Sequence, residues 1–228
     1  MGALEGDTVR VAVIDHGAGN LVSISQGLER VGAVVTLAAG PEGLIDADFV
    51  VMPGVGAAAP AMRRLAERGL VEPIRDWIRA DRPFLGVCLG LQLLFDGSDE
   101  DGAVTLGVLP GRTVALVDPP TTPHIGWNQI VRRRAHPLLD GVNDGADLYF
   151  VHSFAGRPAA GSEDVIVAET THGAPFASVV ARGRCAGVQF HPERSGHDGL
   201  RILANAVALA RSAGEPRTAR ATATRGAA

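Results

Sequence analysis

One alternation in the first 95 residues constrains the fold more than any other feature of the sequence. Short apolar runs recur at 9–15 (VRVAVID), 33–37 (AVVTL), 48–52 (DFVVM) and 84–88 (FLGVC). Between them, apolar residues fall at helical spacing: Leu21, Ile24, Leu28 and Val31, then Met62 and Leu65, then Val71, Ile74, Trp77 and Ile78. Asn20 stands where the first helix needs an N-cap, and Gly32 where it needs an end. Strands alternating with helices predict a parallel sheet covered on both faces. The fold class is therefore α/β: an open, mostly parallel, flavodoxin-like sheet flanked by helices.

The second half changes rhythm. Short β runs stand at 112–117, 129–133, 147–152, 165–170, 176–181 and 185–190, with turn residues between them. They predict a mixed or antiparallel extension of the sheet. A last helix, about 198–211, carries Leu200, Leu203, Val207 and Ala210. One domain is expected over 9–211. Residues 1–8 are expected to be flexible, and 212–228, which lack apolar periodicity, to be a disordered tail. No internal repeat is evident.

Composition removes several function classes. No apolar run approaches the roughly 18–20 residues of a membrane span, and MGALEGDTVR lacks a signal-peptide profile. The expectation is a cytoplasmic protein without a membrane partner. The net charge of −4 counts against nucleic acid. Cys88 and Cys185 are too few for a disulfide framework, and no spacing suggests a metal site or cofactor. All 21 basic residues are arginine, which reads as compositional bias and carries no functional signal.

Cys88 ends the fourth strand run, in LGVCLGLQLLF (85–95), with Gly86 and Gly90 two places to either side. In open α/β sheets, chemistry gathers beyond the carboxyl ends of the strands. Gly-x-Cys-x-Gly there has the form of a nucleophile elbow with thiol in place of hydroxyl. A sharp strand-to-helix turn leaves no room for side chains at the flanking positions. The helix start beyond it supports a thiolate by its dipole and offers free amides to an oxyanion. Most free cysteines are simply small buried hydrophobes; the paired glycines favour the nucleophile. Cys185, without such glycines, reads as core.

A nucleophilic thiol needs a base. GVQFHPERS (187–195) places His191 and Glu193 two apart at a strand end, with Pro192 favouring an extended His191. Positions i and i+2 of an extended segment face one way, so the carboxylate can orient the imidazole. PGVG (53–56) follows the third strand. Its glycines let the Gly54–Val55 region turn an amide toward a reacting carbonyl, although a plain tight turn would read the same.

GVCLGLQLLF and GVQFHPE together, roughly a hundred residues apart, resemble the nucleophile and His-Glu segments of the class I (triad) glutamine amidotransferases. The resemblance spans roughly 9–210. DHGAGNL (15–21), MPGVGA (52–57), PHIGWN (123–128) and YFVHSF (149–154) are most similar to the glutaminase subunits of imidazole glycerol phosphate synthases. That likeness implies a Cys88-His191-Glu193 triad that hydrolyses L-glutamine. It implies an oxyanion hole from the amides of Leu89 and of Gly54 and Val55. It places Gln92 at the substrate, Glu100 at the glutamine amino group, and His152, Ser153 and Phe154 at its carboxylate. Read without it, Gln92 is equally a solvated helix residue and Glu100 a surface loop residue.

The likeness further implies a heterodimer with a (β/α)₈-barrel cyclase subunit, to which the ammonia passes. The cyclase would make imidazole glycerol phosphate and aminoimidazole carboxamide ribotide in histidine biosynthesis. Asn20, Trp127 and Arg194 are the expected interface residues; Trp127 reads equally as core. Arg132–Arg134 is either a docking patch or a solvated face. Two positions depart from the family: His16 stands where an aromatic is common, and Arg194 where lysine is frequent, which keeps the charge but not the geometry. Alternatives are a glutaminase subunit feeding another synthase (anthranilate or aminodeoxychorismate), a free cysteine hydrolase on a related sheet, and a non-catalytic regulatory amidotransferase-like domain. PHIGWN and PGVG argue against the first, GVQFHPE against the second and the intact triad against the third.

Overall fold

The computed structural model describes residues 8–214. The strand runs of the first half become β1 (Arg10–Ile14), β2 (Val34–Ala38), β3 (Phe49–Gly54) and β4 (Phe84–Cys88). They alternate with α1 (Leu21–Arg30), α2 (Ala58–Glu67) and α3 (Val71–Arg79), and α4 (Leu89–Gln92) follows β4 directly. The Asn20 side chain accepts the Ser23 N–H at 3.2 Å and so starts α1. The second half contains β5 (Gly97–Ser98), β6 (Gly111–Ala115), β7 (His124–Gln129), β8 (Val131–Arg132), β9 (Asp147–His152), β10 (Phe154–Pro158), β11 (Ile166–His172), β12 (Ala174–Arg182), β13 (Cys185–Val188) and α5 (Gly196–Gly214).

The main sheet has the order β2-β1-β3-β4-β13-β12-β11-β8. Neighbours from β2 to β13 are parallel; β12, β11 and β8 continue it antiparallel. This is the expected parallel sheet with its extension. Strand residues alternate between two cores. Val11, Val13, Val51, Val87 and Val188 pack with α1 and α5 on one face. Ala12, Ile14, Val50, Met52 and Phe84 pack with α2 and α3 on the other. Each fully buried side chain of this size stabilises the fold by about 1.5–3 kcal/mol.

Three local expectations are corrected. The 112–117 and 147–152 runs do not extend the main sheet. The first is β6, in a three-stranded sheet with β5 and β10; the second is β9, in a two-stranded ribbon with β7. The 129–133 run is divided between the end of β7 and β8. Next, the helix after Cys88 is one turn long. Leu91, Leu93, Leu94 and Phe95 are all fully buried, so packing on every side, and not helical amphipathicity, sets that segment's course. Lastly, α5 runs on through 212–214, which the tail was expected to include. The flexible N-terminus and disordered tail otherwise fall on 1–7 and 215–228, outside the described residues. Among the described residues no helix is long and apolar enough to cross a membrane.

Candidate active site

Sheet register builds the site. The β3–β4 pairing sets Gly54 opposite Cys88, and the β4–β13 pairing sets Val188 opposite Val87. Gly54 on one side and Gln189 on the other thus flank Cys88 at the carboxyl edge. Cys88 adopts φ +54°, ψ −108°, a strained conformation that costs on the order of 1–3 kcal/mol and that surrounding structure must enforce. The two glycines make it possible. A Cβ on Gly90 would lie 1.8 Å from the Met52 carbonyl oxygen, and one on Gly86 would lie 2.4 Å from the Gly90 oxygen. The elbow is therefore present, and close backbone approach is its cause. A single helical turn carries little macrodipole, so the electrostatic support expected from a longer helix is reduced. As first residue of that turn, Leu89 keeps an N–H without an intrahelical acceptor.

His191 is extended (φ −100°, ψ 96°), but Glu193 lies in a 3₁₀ turn, Pro192–Arg194, and not in a continuing strand. The turn returns the carboxylate to the ring: His191 Nδ1 meets Glu193 Oε1 at 2.9 Å, with side chains 7% and 3% exposed. The His191 N–H donates to the Tyr149 carbonyl at 2.8 Å, and Ser195 Oγ donates to the His191 carbonyl at 2.6 Å. His191 Nε2 is buried and holds no hydrogen bond of full geometry, which leaves it to the neighbouring thiol. Burial alone pulls the imidazole pKa down. Hydrogen bonding toward Cys88 and Glu193, and then their charges, outweigh burial and push it up to about 10.

Cys88, Leu89, Val55, Gln92, Glu100 and the 152–154 stretch line one cavity of about 260 Å³. Gly54 is buried beside Leu89 and His16: a Cβ there would lie 3.0 Å from Leu89 Cβ and 3.1 Å from His16 Nε2. Glu100 is an exposed residue at the cavity, its pKa raised by partial burial and then by the Asp101 charge. Gln92 is not a solvated helix residue: it is buried, and its Nε2 donates to the Phe154 carbonyl at 2.7 Å and to Gln189 Oε1 at 3.2 Å. The His152 ring is likewise committed to protein, with Nδ1 on the Phe154 carbonyl at 2.9 Å and Nε2 on His124 Nδ1 at 3.0 Å. Burial, and then neighbouring histidine charges against one opposing hydrogen bond, lower the pKa of His152 to about 3. Burial and His172 lower that of His124 to about 4.

The expected interface residues lie at this same edge. Trp127 is not core; it is 58% exposed and meets Tyr149 edge-on at 6.0 Å. The Arg194 guanidinium covers the other partner, 4.5 Å from the Tyr149 ring centre. Asn20 is exposed at the carboxyl end of β1. Arg132–Arg134 is tied down: Arg132 to the Leu139 carbonyl, Arg133 to Glu169, Arg134 to the carbonyls of Asp164 and Ala181. Cys185 is buried as expected, and burial pushes its thiol up to about 12.

Three residues at the site escaped the sequence reading as participants. His16 is fully buried, and its Nε2 donates to the Pro53 carbonyl at 3.0 Å, fixing the start of PGVG. His124 holds His152. Gln189 places its Nε2 3.6 Å from Cys88 Sγ. Its signal was position alone, inside the His-Glu segment and level with the end of β4.

A strained cysteine at a strand–turn junction, a buried His-Glu pair and a cleft that the cysteine lines form the arrangement that a cysteine-nucleophile hydrolase needs. Residues 12–209 match the family described as Glutamine amidotransferase class-I, and the chain belongs to that family. A relative in Chloroflexus aurantiacus, "Imidazole glycerol phosphate synthase subunit HisH", is 46% identical over 202 residues, covering 86% of this chain and 94% of that one. One of the same name in Dehalococcoides mccartyi is 41% identical over 196 residues, covering 86% and 95%. Among solved structures, a glutamine amidotransferase superposes with a TM-score of 0.70 at 18% identity, covering 88% of this chain and 98% of that one. PurLQS from Thermotoga maritima gives 0.69 at 16%, with the same coverage; these two likenesses bear on the fold.

Proposed function

We propose that this chain is the glutaminase subunit of an imidazole glycerol phosphate synthase, working in the cytoplasm in a heterodimer with a (β/α)₈-barrel cyclase. The observation that carries the chemistry is His191 clamped on Glu193 beside a strained Cys88 in one cleft. Relatives above 40% identity named as HisH subunits support the assignment to that synthase.

The Cys88 thiolate attacks the side-chain carboxamide carbon of glutamine. The oxyanion that forms is held by the amides of Leu89 and of the Gly54–Val55 region. His191, whose charged form Cys88 and Glu193 favour against burial, gives a proton to the departing nitrogen, and ammonia leaves. Now neutral, His191 takes a proton from water. The hydroxide formed attacks the thioester, thiolate is expelled, and glutamate departs. Glu193 positions the ring so that Nε2 serves the reaction. Glu100 binds the substrate amino group, and the backbone of the 152–154 stretch receives its carboxylate. Gln92 shapes the wall between them. Trp127, Arg194 and Asn20 face the cyclase, which receives the ammonia.

Glutamate release from glutamine tests this reading: the chain alone, then with a cognate cyclase, then with the cyclase's nucleotide ligand. A large rise on adding partner and ligand is expected. Full activity in isolation would point to another glutaminase. Inactivity in a verified complex would leave the regulatory domain.

A further inference from the structure

We propose that Gln189 is a catalytic residue: its side-chain amide donates a hydrogen bond to the Cys88 sulfur and holds the thiolate for attack. The inference rests on the reading of Cys88 as the nucleophile and adds a donor to it. Gln189 is fully buried, with Nε2 3.6 Å from Cys88 Sγ.

An amide could present oxygen instead of nitrogen, so its orientation has to be established. It follows from a carbonyl at the far end of the network. The Phe154 carbonyl can only accept, so the Gln92 atom 2.7 Å away is its nitrogen. That same nitrogen lies 3.2 Å from Gln189, which must therefore offer its oxygen there. The nitrogen of Gln189 is left for the sulfur.

A second strand of the network supports the same carbonyl. Asn128 Nδ2 is fixed by the Thr171 carbonyl at 3.0 Å and donates to His124 Nε2 at 3.2 Å. His124 Nδ1–H then donates to His152 Nε2, and His152 Nδ1–H to the Phe154 carbonyl. Every donor meets an acceptor only with both rings neutral, the state that their burial favours. The Phe154 carbonyl is thus held by two independent donors, and Gln92 and Gln189 inherit a fixed polarity.

An N–H aimed at sulfur binds thiolate more strongly than thiol, because the bond becomes charge-assisted. The opposing contact is weak: the thiol hydrogen has the Val151 carbonyl as acceptor at 3.9 Å. Gln189 therefore acts twice. It raises the fraction of attacking thiolate, and it receives the thiolate expelled when the thioester is hydrolysed. The titratable groups around the sulfur are His191 backed by Glu193, His152 across the cleft and Glu100 at its rim. A change at Gln189 leaves all four in place.

The test is the pH profile of Cys88 alkylation by iodoacetamide in the full-length chain, read from the mass of the Cys88 peptide. The buried Cys185 is read on its own peptide. Gln189→Met keeps the length and removes the donor; its alkylation midpoint is expected about one pH unit above wild type. Gln189→Glu, which sets a carboxylate against the sulfur, is expected higher still. Gln92→Met, which frees the Gln189 amide to turn, is expected to move the midpoint the same way by less. An unmoved midpoint in Gln189→Met or Gln189→Glu, with wild-type circular dichroism, would overturn the proposal and leave Gln189 a packing residue. Should Gln189→Met not fold, Gln92→Met decides in the same sense. The assay needs neither glutamine nor partner, so failure of the glutaminase reading appears separately, as a wild-type complex that releases no glutamate.

Discussion

At Cys88 the backbone is held at φ +54° by contacts that leave no space for a Cβ at Gly86 or Gly90. Strain of this kind survives selection where it presents an atom for chemistry. Cys88→Ser keeps the geometry and exchanges the thiolate for a hydroxyl that His191 is not tuned to deprotonate. Glutamine-dependent synthesis by the complex should fall by on the order of 10³ or more. Synthesis from added ammonium salts should persist, because on the proposed reading ammonia is all that this chain passes to its partner. Both rates are measured on one purified complex, and loss of both with the complex intact would contradict the division of labour. The grouping of Cys88, His191 and Glu193 was legible in the sequence because each carries a local mark: paired glycines at Cys88, a Pro-spaced His-Glu at 191 and 193. Gln189 carries none. A glutamine in a strand is unremarkable until register sets it level with the nucleophile. His16 was legible only as a departure; its bond to the Pro53 carbonyl spans 37 positions.

Elements place these residues, and the β7–β9 ribbon places most of the cleft's far wall. Its register pairs His124 with His152 and Trp127 with Tyr149. The ribbon was poorly legible. PHIGWN reads as a turn-rich motif with Pro123 and Gly126, and its strand character comes from pairing with β9. The β10 strand was missed for the same reason, since FAGRP has no alternation. The ribbon should be acid-labile. His124 and His152 stay neutral in the fold, with pKa values of about 4 and about 3, whereas in the unfolded chain they take up protons below about 6.5. The unfolded state then binds more protons, so stability falls as pH drops from about 6.5 toward 4. His16 and His136, also lowered first by burial, add to the same limb. His191 acts on the other limb, its contribution complete below about 6.5 and lost as pH rises through about 10. Thermal unfolding at pH 7.5, 6 and 5 checks this. His124→Phe retains a ring to stack on Phe150 and His172 but removes the partner of His152 Nε2 and one of the two acceptors of Asn128 Nδ2. It should be less stable at pH 7.5 by about 1–3 kcal/mol yet lose less between pH 7.5 and 5 than wild type. An equal loss would remove His124 from the acid response.

Across the whole molecule, the parallel sheet gathers its chemistry at one edge, and that edge also carries exposed apolar side chains. Val55, 44% exposed, lines the cleft, and Ile125 and Trp127, 60% and 58% exposed, stand on the β7–β9 ribbon that supplies its Val151–His152 wall, with Tyr149 and Arg194 stacked behind Trp127. The strand–helix alternation made the fold class legible, but not this patch, because Trp127 reads equally well as core until the ribbon turns it outward. Large aromatics of this kind, exposed and backed by a stacked pair, are typical anchors of protein interfaces. A cyclase docked here would cover the cleft and receive ammonia before it reaches water. Trp127→Ala should then weaken the complex by about 2 kcal/mol, roughly 30-fold in Kd, and reduce partner-stimulated glutaminase at limiting cyclase. Saturating cyclase should restore much of that activity, since Trp127 touches none of the triad. Val34→Ala is the control. It removes an equally exposed apolar residue, 51% exposed, at the start of the edge strand β2, and so at the opposite end of the sheet. Its Kd should not move. If both variants bind as wild type does, the aromatic face of the ribbon is not where the partner sits; if both weaken alike, the effect belongs to the fold and not to the interface.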